Sequence, residues 1–230
     1  MKNVKLGGLT VGRIGLGMMG MSFAYGGAGS DDAESIRTLH RAIDLGVTMI
    51  DTAEAYGPYA NEELLGQALR GGHRDRVVIA TKFGLISHIG RDGVDSSPAN
   101  IRHAVEGSLR RLGVDHIDLF QLHWPAPQPI AETARACEAL LEAGKIRAIG
   151  VSNYSVEQLE EWRTTGVPLH SLQAPYSILR PAAKANVIPW CAAHATGVIA
   201  YSPLFRGLLF GTWTAGKTFP PGDARGAHKD

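Results

Sequence analysis

The chain has 230 residues, of which 44% are hydrophobic and 20% charged, which is enough to bury a substantial core in one α/β domain. Its 23 lysines and arginines nearly balance its 22 aspartates and glutamates, so no strong field favours binding to nucleic acid or to a membrane surface. No signal peptide or apolar run of the ~20 residues that span a membrane is visible, and Cys137 and Cys191 are too few for a disulfide framework, so we expect a cytoplasmic protein.

Seven short apolar runs, each bounded by glycine, proline or polar residues, predict buried strands. In chain order they cover residues 14–17, 48–51, 77–81, 117–123, 148–151, 171–174 and 198–200. Amphipathic segments between most of them predict helices, whose first residues follow an Asp31–Asp32 pair, a Ser97–Pro98 pair and the Ser155–Gln158 capping box. Glycines at positions 46, 113 and 144 fall where three of these helices are expected to end.

The alternation of strand and helix recurs roughly every 25–40 residues, which favours a parallel sheet covered by helices. Two parallel architectures fit this alternation, an open doubly wound sheet and a closed barrel, and the number of units separates them only weakly. Seven strands suit a (β/α)8 TIM barrel whose eighth βα unit is absent from this chain, and this is the fold that we expect. We expect a single domain over residues 1–230, incomplete at its C-terminus. Residues 213–230 are rich in glycine, proline and charge, and they are predicted to form a loop.

Gly15, Gly17 and Gly20 form a G-x-G-x-x-G pattern that is also typical of dinucleotide-binding Rossmann folds. The residues that follow indicate a loop where that motif requires a helix, and no acidic residue stands at the motif's ribose-binding position, about 20 residues beyond Gly20. We therefore interpret the pattern as a strand and tight turn. The backbone near Gly17 and Met18 is still expected to lie close to a cofactor.

Polar side chains stand where consecutive predicted strands end, which is where a parallel barrel places its chemistry. Asp51 ends the second strand and is followed by Tyr56, Lys82 follows the third strand, and His123 ends the fourth. Taken singly, each residue has an ordinary interpretation as a helix cap, a loop aromatic, a solvated lysine or a buried, hydrogen-bonded histidine. Their joint placement favours a catalytic group.

Reduction of a carbonyl needs this combination, because hydride must reach the carbon while a proton reaches the oxygen. Tyr56 is the natural proton donor, and a nearby ammonium group is expected to lower its pKa from the ordinary value of about 10. Lys82 can supply that charge, and Asp51 offers a carboxylate that keeps the lysine charged and in place. His123 is expected to orient the carbonyl or to relay the proton.

Five motifs, in this order along the chain, resemble those of the aldo-keto reductases. They are Asp-Thr-Ala-x-x-Tyr-Gly at 51–57, Thr-Lys-Phe-Gly at 81–84, Leu-His-Trp-Pro at 122–125, Gly-Lys-Ile-Arg-x-Ile-Gly-Val-Ser-Asn at 144–153 and Tyr-Ser-Pro-Leu at 201–204. The resemblance spans almost the entire chain and implies Asp51, Tyr56, Lys82 and His123 as the catalytic tetrad. It also implies NADPH as the cofactor.

The same resemblance assigns further residues to the cofactor. Ser152, Asn153 and Gln173 look like the groups that hydrogen-bond the nicotinamide carboxamide, and Tyr201 looks like the ring that stacks on it. The ordinary alternative for Tyr201 is core packing. The remaining assigned contacts are Ser202, Pro203, Leu204 and Gly207 along the pyrophosphate, Arg206 at a phosphate, and Asp51. The predicted substrate pocket is lined by Phe23, Tyr25, Tyr56, His123 and Trp124, whose aromatic character suits an apolar or aromatic aldehyde or ketone.

The sequence therefore predicts an NADPH-dependent enzyme that reduces aldehydes or ketones to alcohols, with Tyr56 as the general acid. The alternative is a non-catalytic module of the same fold, in which binding of the nicotinamide cofactor matters and turnover does not. We expect no metal site, because the nine histidines lack metal-binding spacing. Without the family's eighth strand, open barrel edges are expected to allow self-association.

Overall fold

The architecture is a β-hairpin followed by alternating strands and helices, seen in a computed structural model that describes residues 1–26, 28–29 and 31–226. The strands are β1 (Asn3–Leu6), β2 (Leu9–Gly12), β3 (Leu16–Gly17), β4 (Met49–Asp51), β5 (Val78–Phe83), β6 (Leu119–Leu122), β7 (Ile149–Ser152), β8 (Ser171–Pro175) and β9 (Gly197–Tyr201). The helices are α1 (Met19–Ser22), α2 (Asp32–Asp44), α3 (Ala60–Ala68), α4 (Pro98–Leu112), α5 (Ile130–Glu142), α6 (Val156–Thr164) and α7 (Val187–Ala193). Short 3₁₀ turns cover Arg74–Arg76, Ser87–Ile89, Ala182–Lys184 and Phe205–Phe210.

Strands β3 to β9 form one parallel sheet in which each strand pairs with the next along the chain. Consecutive pairing curls the sheet in one direction, which is the arrangement of a (β/α)8 barrel and not of an open doubly wound sheet. The predicted fold is confirmed, with seven parallel strands and no eighth among the described residues. Among the described residues, the two edge strands, β3 and β9, each pair with only one other strand. The self-association expected from these edges stays a prediction.

The apolar runs locate all seven parallel strands, although the boundaries differ by a few residues. Strand β5 extends to Phe83, so Lys82 lies within the strand and not after it. The hairpin of β1 and β2 is missing from the predicted elements, because each of its strands has only four residues. The Gly7–Gly8 pair between them is the signal for a two-residue turn, and Gly7 has a φ of +58°.

Hydrogen bonds confirm the predicted helix ends. Asp31 caps α2 and Ser97 caps α4, each by accepting a bond from the amide three residues further on, at 2.8 and 3.3 Å. Ser155 and Gln158 form the capping box of α6. Gly113 ends α4 with a φ of +67°. These caps satisfy amide and carbonyl groups that have no partner within the helix.

One expectation about the glycine pattern is wrong in detail. A helical turn, α1, begins at Met19 and includes Gly20, where a loop is predicted. The turn has only four residues, so it cannot serve as the dinucleotide-binding helix of a Rossmann fold. The interpretation of the pattern as a strand and tight turn agrees with the sheet order.

Apolar side chains form two buried clusters on the two faces of the sheet. The larger cluster joins the helices to the outer face and includes Leu39, Val105 and Trp162. The smaller cluster lies inside the barrel and joins Leu6 and Val11 of the hairpin to the first residues of several strands. The hairpin therefore closes the amino end of the barrel, and the polar strand ends gather at the carboxyl end.

The described part of the predicted loop, residues 213–226, contains no helix or strand, whereas residues 227–230 lie outside the described residues. This tail segment (residues 213–226) bridges two sides of the carboxyl end. The Gly26 amide donates to the Asp223 carboxylate at 2.8 Å, and the Ala224 amide donates to the Ala24 carbonyl at 2.7 Å. Arg206, which follows β9, donates to the Ala224 carbonyl at 3.2 Å.

No helix within the described ranges combines the length and the apolar character needed to cross a membrane. Cys137 and Cys191 are both buried and carry free thiols. The cytoplasmic location expected from the composition stays a prediction.

We expect Gly197→Ala to destabilise the fold, because a β-carbon there would lie 2.3 Å from Leu6 Cδ1 and 3.0 Å from Leu6 Cα. Overpacking of this kind costs about 1–3 kcal/mol. Urea unfolding measures the loss, with Gly8→Ala as the control, because no atom beyond the chain neighbours lies within 4 Å of the added carbon. Equal unfolding midpoints for the two variants would show that the hairpin does not pack firmly against β9.

Candidate active site

Lys82 and Asp51 form a buried ion pair at the carboxyl end of the sheet. Asp51 lies opposite Ala80 in the pairing of β4 with β5, so Lys82, two residues further on, points to the same face. The Lys82 Nζ atom donates to Asp51 Oδ2 at 2.6 Å and to the Thr52 carbonyl at 2.9 Å. Burial is the largest influence and acts to lower the pKa of Lys82, but the charges and hydrogen bonds of Asp51 and Tyr56 together outweigh it and raise that pKa above its ordinary value. The amine therefore stays protonated.

Tyr56 stands beside this ion pair, on the loop between β4 and α3. Its hydroxyl lies 3.5 Å from the Lys82 Nζ atom, and its side chain is buried. Burial raises the pKa of Tyr56 above its ordinary value, and the charge of Lys82 acts in the opposite direction without outweighing it. The expected contribution of Lys82 is thus correct in sign, but the expected net lowering of the pKa is wrong. The hydroxyl keeps its proton at neutral pH.

His123 directly follows β6, and its ring meets the Tyr56 ring edge-on with 5.6 Å between centroids. Burial lowers the pKa of His123 well below its ordinary value, and the charge of Lys82 adds to the effect, so the imidazole is neutral at neutral pH. Its Nδ1 atom is buried and makes no hydrogen bond to the described residues. An unpaired buried donor is rarer than an unpaired acceptor, so we assign the proton to Nε2.

Side-chain and backbone hydrogen bonds connect β7 and β8 to the ion pair. Ser152 and Gln173 lie opposite each other in the pairing of these strands, and the Ser152 hydroxyl donates to the Gln173 carbonyl at 3.0 Å. The Gln173 Nε2 atom donates to Asp51 Oδ1 at 2.9 Å. The Asp51 carboxylate therefore receives one bond from Lys82 and another from Gln173, a link that the sequence does not reveal.

Asn153 connects three of the predicted site residues. Its Nδ2 atom donates to the Ser152 hydroxyl at 3.0 Å and to the His123 carbonyl at 3.2 Å. Its Oδ1 atom accepts from the Tyr201 hydroxyl at 2.8 Å. The backbone of Asn153 has a φ of +64°, a left-handed conformation that asparagine tolerates better than most residues. This backbone turn places the amide between the ends of β6 and β9.

The other predicted cofactor contacts lie at the same end of the barrel. A β-carbon at Gly17 would meet no atom within 4 Å, so space is open beside the end of β3. The Met18 side chain is fully buried, its amide donates to the Asp51 carbonyl at 2.8 Å, and its carbonyl accepts from the Met21 amide at 2.8 Å. The segment after β9 supplies Ser202, Pro203, Leu204, Arg206 and Gly207, of which Ser202 and Arg206 have left-handed backbones.

The predicted pocket aromatics occupy different positions. The Phe23 ring stacks with the Tyr56 ring at 6.0 Å between centroids and is 46% exposed. Trp124, on the loop after β6, is 44% exposed. Tyr25 packs under the guanidinium of Arg225 at 4.9 Å, so its ring is turned to the tail segment. The structure brings Phe23 against the ring of Tyr56 and places Tyr25 against the tail segment.

Two buried polar residues near the site are absent from the sequence prediction. Asn61 of α3 accepts from the Thr52 hydroxyl at 2.6 Å and donates to the Met18 carbonyl at 2.9 Å, so it ties α3 to the ends of β3 and β4. Glu54, two residues before Tyr56, is also buried. Both lie in or just after the motif at 51–57. Their burial follows from helix packing, and no local periodicity signals it.

Residues 13–229 match the model of the aldo/keto reductase family. The chain belongs to this family. Its likeness to individual aldo/keto reductases extends through almost the whole chain. Aldo-keto reductase YhdN of Bacillus subtilis (strain 168) is 43% identical over 223 residues, which cover 95% of this chain and 66% of that protein.

Two solved aldo/keto reductase structures share the fold. A glycerol dehydrogenase from Gluconobacter oxydans has a TM-score of 0.87 and 39% identity, covering 99% of this chain and 71% of that one. An aldo/keto reductase from Klebsiella pneumoniae in complex with NADP and acetate has a TM-score of 0.77 and 34% identity, covering 89% of this chain and 70% of that one. This chain therefore spans about two-thirds to seven-tenths of the length of these relatives.

In this aldo/keto reductase, Asp51→Asn is expected to cost more stability than Lys82→Met. The side chain of Lys82 is 1% exposed, whereas that of Asp51 is 18% exposed and keeps its bond from Gln173. Leaving a buried charge unpaired costs about 3–5 kcal/mol, and the lysine has less access to water. Urea unfolding at neutral pH measures both variants and the double variant, which should lose less than the sum. A larger loss for Lys82→Met would contradict this assignment.

Proposed function

We propose that this chain is an NADPH-dependent oxidoreductase that reduces aldehydes or ketones to alcohols, with Tyr56 as the general acid. The observation that carries the proposal is the Tyr56 hydroxyl, which lies 3.5 Å from the protonated amine of Lys82 and beside the neutral ring of His123. Membership of the family supports the reaction class. The complex of the similar Klebsiella pneumoniae protein with NADP supports the cofactor.

The residues at the ends of β7 to β9 fit a nicotinamide, whose carboxamide needs both donors and acceptors. The side-chain amides of Asn153 and Gln173 offer both kinds of group, and Ser152 adds a hydroxyl. The half-buried ring of Tyr201 lies beside them, where its face can stack on a flat heterocycle. When bound there, the reduced nicotinamide supplies the hydride for the carbonyl carbon.

The rest of the cofactor is assigned to the segment after β9 and to the open space at β3. The proposed contacts are Ser202, Pro203, Leu204, Arg206 and Gly207 for the pyrophosphate, with Gly17 and Met18 through their backbones and Asp51 at the nicotinamide side. The positive charge of Arg206 suits phosphate oxygens. The preference for NADPH over NADH is part of the proposal.

Tyr56 acts as the proton donor to the carbonyl oxygen. Its raised pKa keeps the phenol protonated before the reaction, which a general acid requires. Once the proton leaves, a phenolate forms in a buried site, and the ammonium of Lys82 is the adjacent charge that stabilises it. This interaction is stronger after proton transfer than before it, so it lowers the barrier to transfer.

The other two members of the tetrad, Asp51 and His123, position the lysine and the substrate carbonyl. Asp51 keeps Lys82 charged and fixed, because an unpaired buried ammonium would lose its proton or move to water. His123 is neutral and carries its proton on Nε2, so it can donate a hydrogen bond to the carbonyl oxygen and orient it. The exposed rings of Phe23 and Trp124 favour substrates with an apolar or aromatic body, with Tyr25 further out.

Tyr56→Phe should reduce carbonyl reduction by ~10²-fold or more, because the variant lacks the proton donor. Binding of NADPH should persist, because the proposed cofactor contacts are unchanged. Steady-state turnover of a panel of aldehydes measures the first effect, and fluorescence titration measures the second. Tyr154→Phe is the control, since its ring packs against Trp162 in the core. Turnover by Tyr56→Phe within a few-fold of the unaltered chain would exclude Tyr56 as the acid.

The same assay distinguishes the alternative of a non-catalytic module. That module would bind NADPH but turn over no aldehyde or ketone in the panel, and Tyr56→Phe would then change neither measurement. Loss of turnover confined to Tyr56→Phe would favour the enzyme.

Tyr201→Leu should weaken NADPH binding about 2- to 12-fold, because it removes a stacking contact of about 0.5–1.5 kcal/mol. Tyr201→Phe keeps the ring and loses only the hydroxyl that donates to Asn153, so its affinity should change less. Fluorescence titration with NADPH measures both variants. Equal weakening would indicate that the hydrogen bond to Asn153, and not stacking, supports binding.

A further inference from the structure

A second group of charges lies behind the loop that carries Tyr56. Glu54, on this loop, and Glu62, in α3, both have buried carboxyl groups, with Glu62 fully enclosed and Glu54 6% exposed. Both face Arg111 of α4, whose Nε atom lies 2.6 Å from Glu62 Oε2 and whose Nη2 atom lies 3.8 Å from Glu54 Oε2. One guanidinium thus serves two buried acids, and Glu54 is the more weakly paired of them.

Glu54 is attached at two points to the end of β5. Its amide donates to the Lys82 carbonyl at 3.3 Å, and its Oε1 atom accepts from the Gly84 amide at 3.2 Å. Its own carbonyl accepts from the Tyr59 amide at 2.8 Å, which closes the turn over residues 54–59. Tyr56 lies within this turn. The separation of the Tyr56 hydroxyl from the Lys82 amine therefore depends on how firmly Glu54 is held.

The surroundings of Glu54 set its charge. The charged or titratable residues on the elements packed against it are Glu62 of α3, Arg111 of α4, Tyr59 of the intervening turn, Lys82 of β5 and Asp95 of the segment behind Gly84. The Lys82 amine is directed to Asp51, and the Asp95 carboxylate to the Ser97 amide. Burial raises the pKa of Glu54 to about 7, with the charge of Glu62 adding to it and with the Gly84 amide and Arg111 opposing it.

We propose that Glu54 is a positioning residue for Tyr56: its buried, protonated carboxyl group holds the tyrosine loop against the end of β5, and ionisation of that group loosens the loop. An ionised Glu54 would be a second buried negative charge beside Glu62, and Arg111, paired with Glu62 at 2.6 Å, lies 3.8 Å from it, so the charged form favours a loop that opens to water. The predicted effect on turnover rests on the proposed function. The predicted effect on the loop rests only on these contacts.

The test compares the 230-residue chain with its Glu54→Gln variant, which keeps an oxygen for the Gly84 amide but cannot ionise. With NADPH and an aromatic aldehyde as probes, kcat of the unaltered chain should fall several-fold as the pH rises through about 7, because Glu54 then ionises. The variant should lack this limb and stay at the higher value. KM for the aldehyde should change little, because the Glu54 side chain faces α3 and α4.

Thermal unfolding supplies a check on the ionisation itself. The pKa of Glu54 is about 7 in the fold against an ordinary 4.5, so the folded chain binds the proton more tightly than the unfolded chain. The stability that this group contributes is complete below about pH 4.5 and is lost as the pH rises through about 7. The melting temperature of Glu54→Gln should therefore rise relative to that of the unaltered chain across this range, by several degrees.

Hydrogen exchange of amides in residues 52–59 reports on the loop without any need for turnover. At about pH 8, where the carboxylate is ionised, exchange should be slower in Glu54→Gln than in the unaltered chain. At about pH 5 the two should converge, because Glu54 is then protonated. Glu63→Gln, which removes an exposed carboxylate from the same helix region, should leave all three measurements unchanged.

The outcomes separate this inference from the proposed function. Slower exchange in Glu54→Gln at about pH 8 together with an absence of aldehyde turnover in the unaltered chain would refute the enzyme and retain the positioning role. Turnover with superimposable pH profiles and equal exchange in the two chains would overturn the positioning role, even if the melting temperatures show that Glu54 titrates.

Discussion

A buried ammonium needs an opposite charge, and the pairing of Lys82 with Asp51 is the interaction on which the rest of the site depends. Lys82 is buried in the part of β5 that extends beyond its pairing with β4, and the Asp51 carboxylate at the end of β4 compensates its charge. Tyr56 is then placed against a fixed positive charge. Gln173 holds the second carboxylate oxygen, so the same acid also aligns the end of β8.

Through these bonds the two halves of the site are one network. From Asp51 it passes through Gln173 to Ser152, and from there through Asn153 to both the His123 backbone and Tyr201. Residues assigned to the proton and residues assigned to the nicotinamide therefore share partners. Effects of substitutions in such a network are not expected to add, because each removal leaves a neighbour unsatisfied.

Much of the fold and of the candidate site could be predicted from the sequence, because the parallel strands of a barrel bring their carboxyl ends together whatever their separation along the chain. Apolar runs located those ends, and Asp51 and His123 are found there. Glu54 could not be predicted, since its burial depends on Arg111 and α4, and Arg111 is itself paired with Glu62, 49 residues away. The direction in which the Tyr56 pKa is shifted could not be predicted either, because the burial that raises it depends on the fold. The ion pair alone would have suggested the opposite sign.

The hydrogen bond from the Gly26 amide to Asp223 of the tail segment joins residues 197 positions apart along the chain. The entropy of closing a loop grows slowly with its length, so the contact costs little more than a shorter closure would once the fold exists. In kinetic terms it differs from the strand pairings, which join consecutive units and can form stepwise. We therefore expect the bridge across the carboxyl end to form late in folding. The margin of the site that carries Tyr25 would then be completed only after the seven strands have assembled.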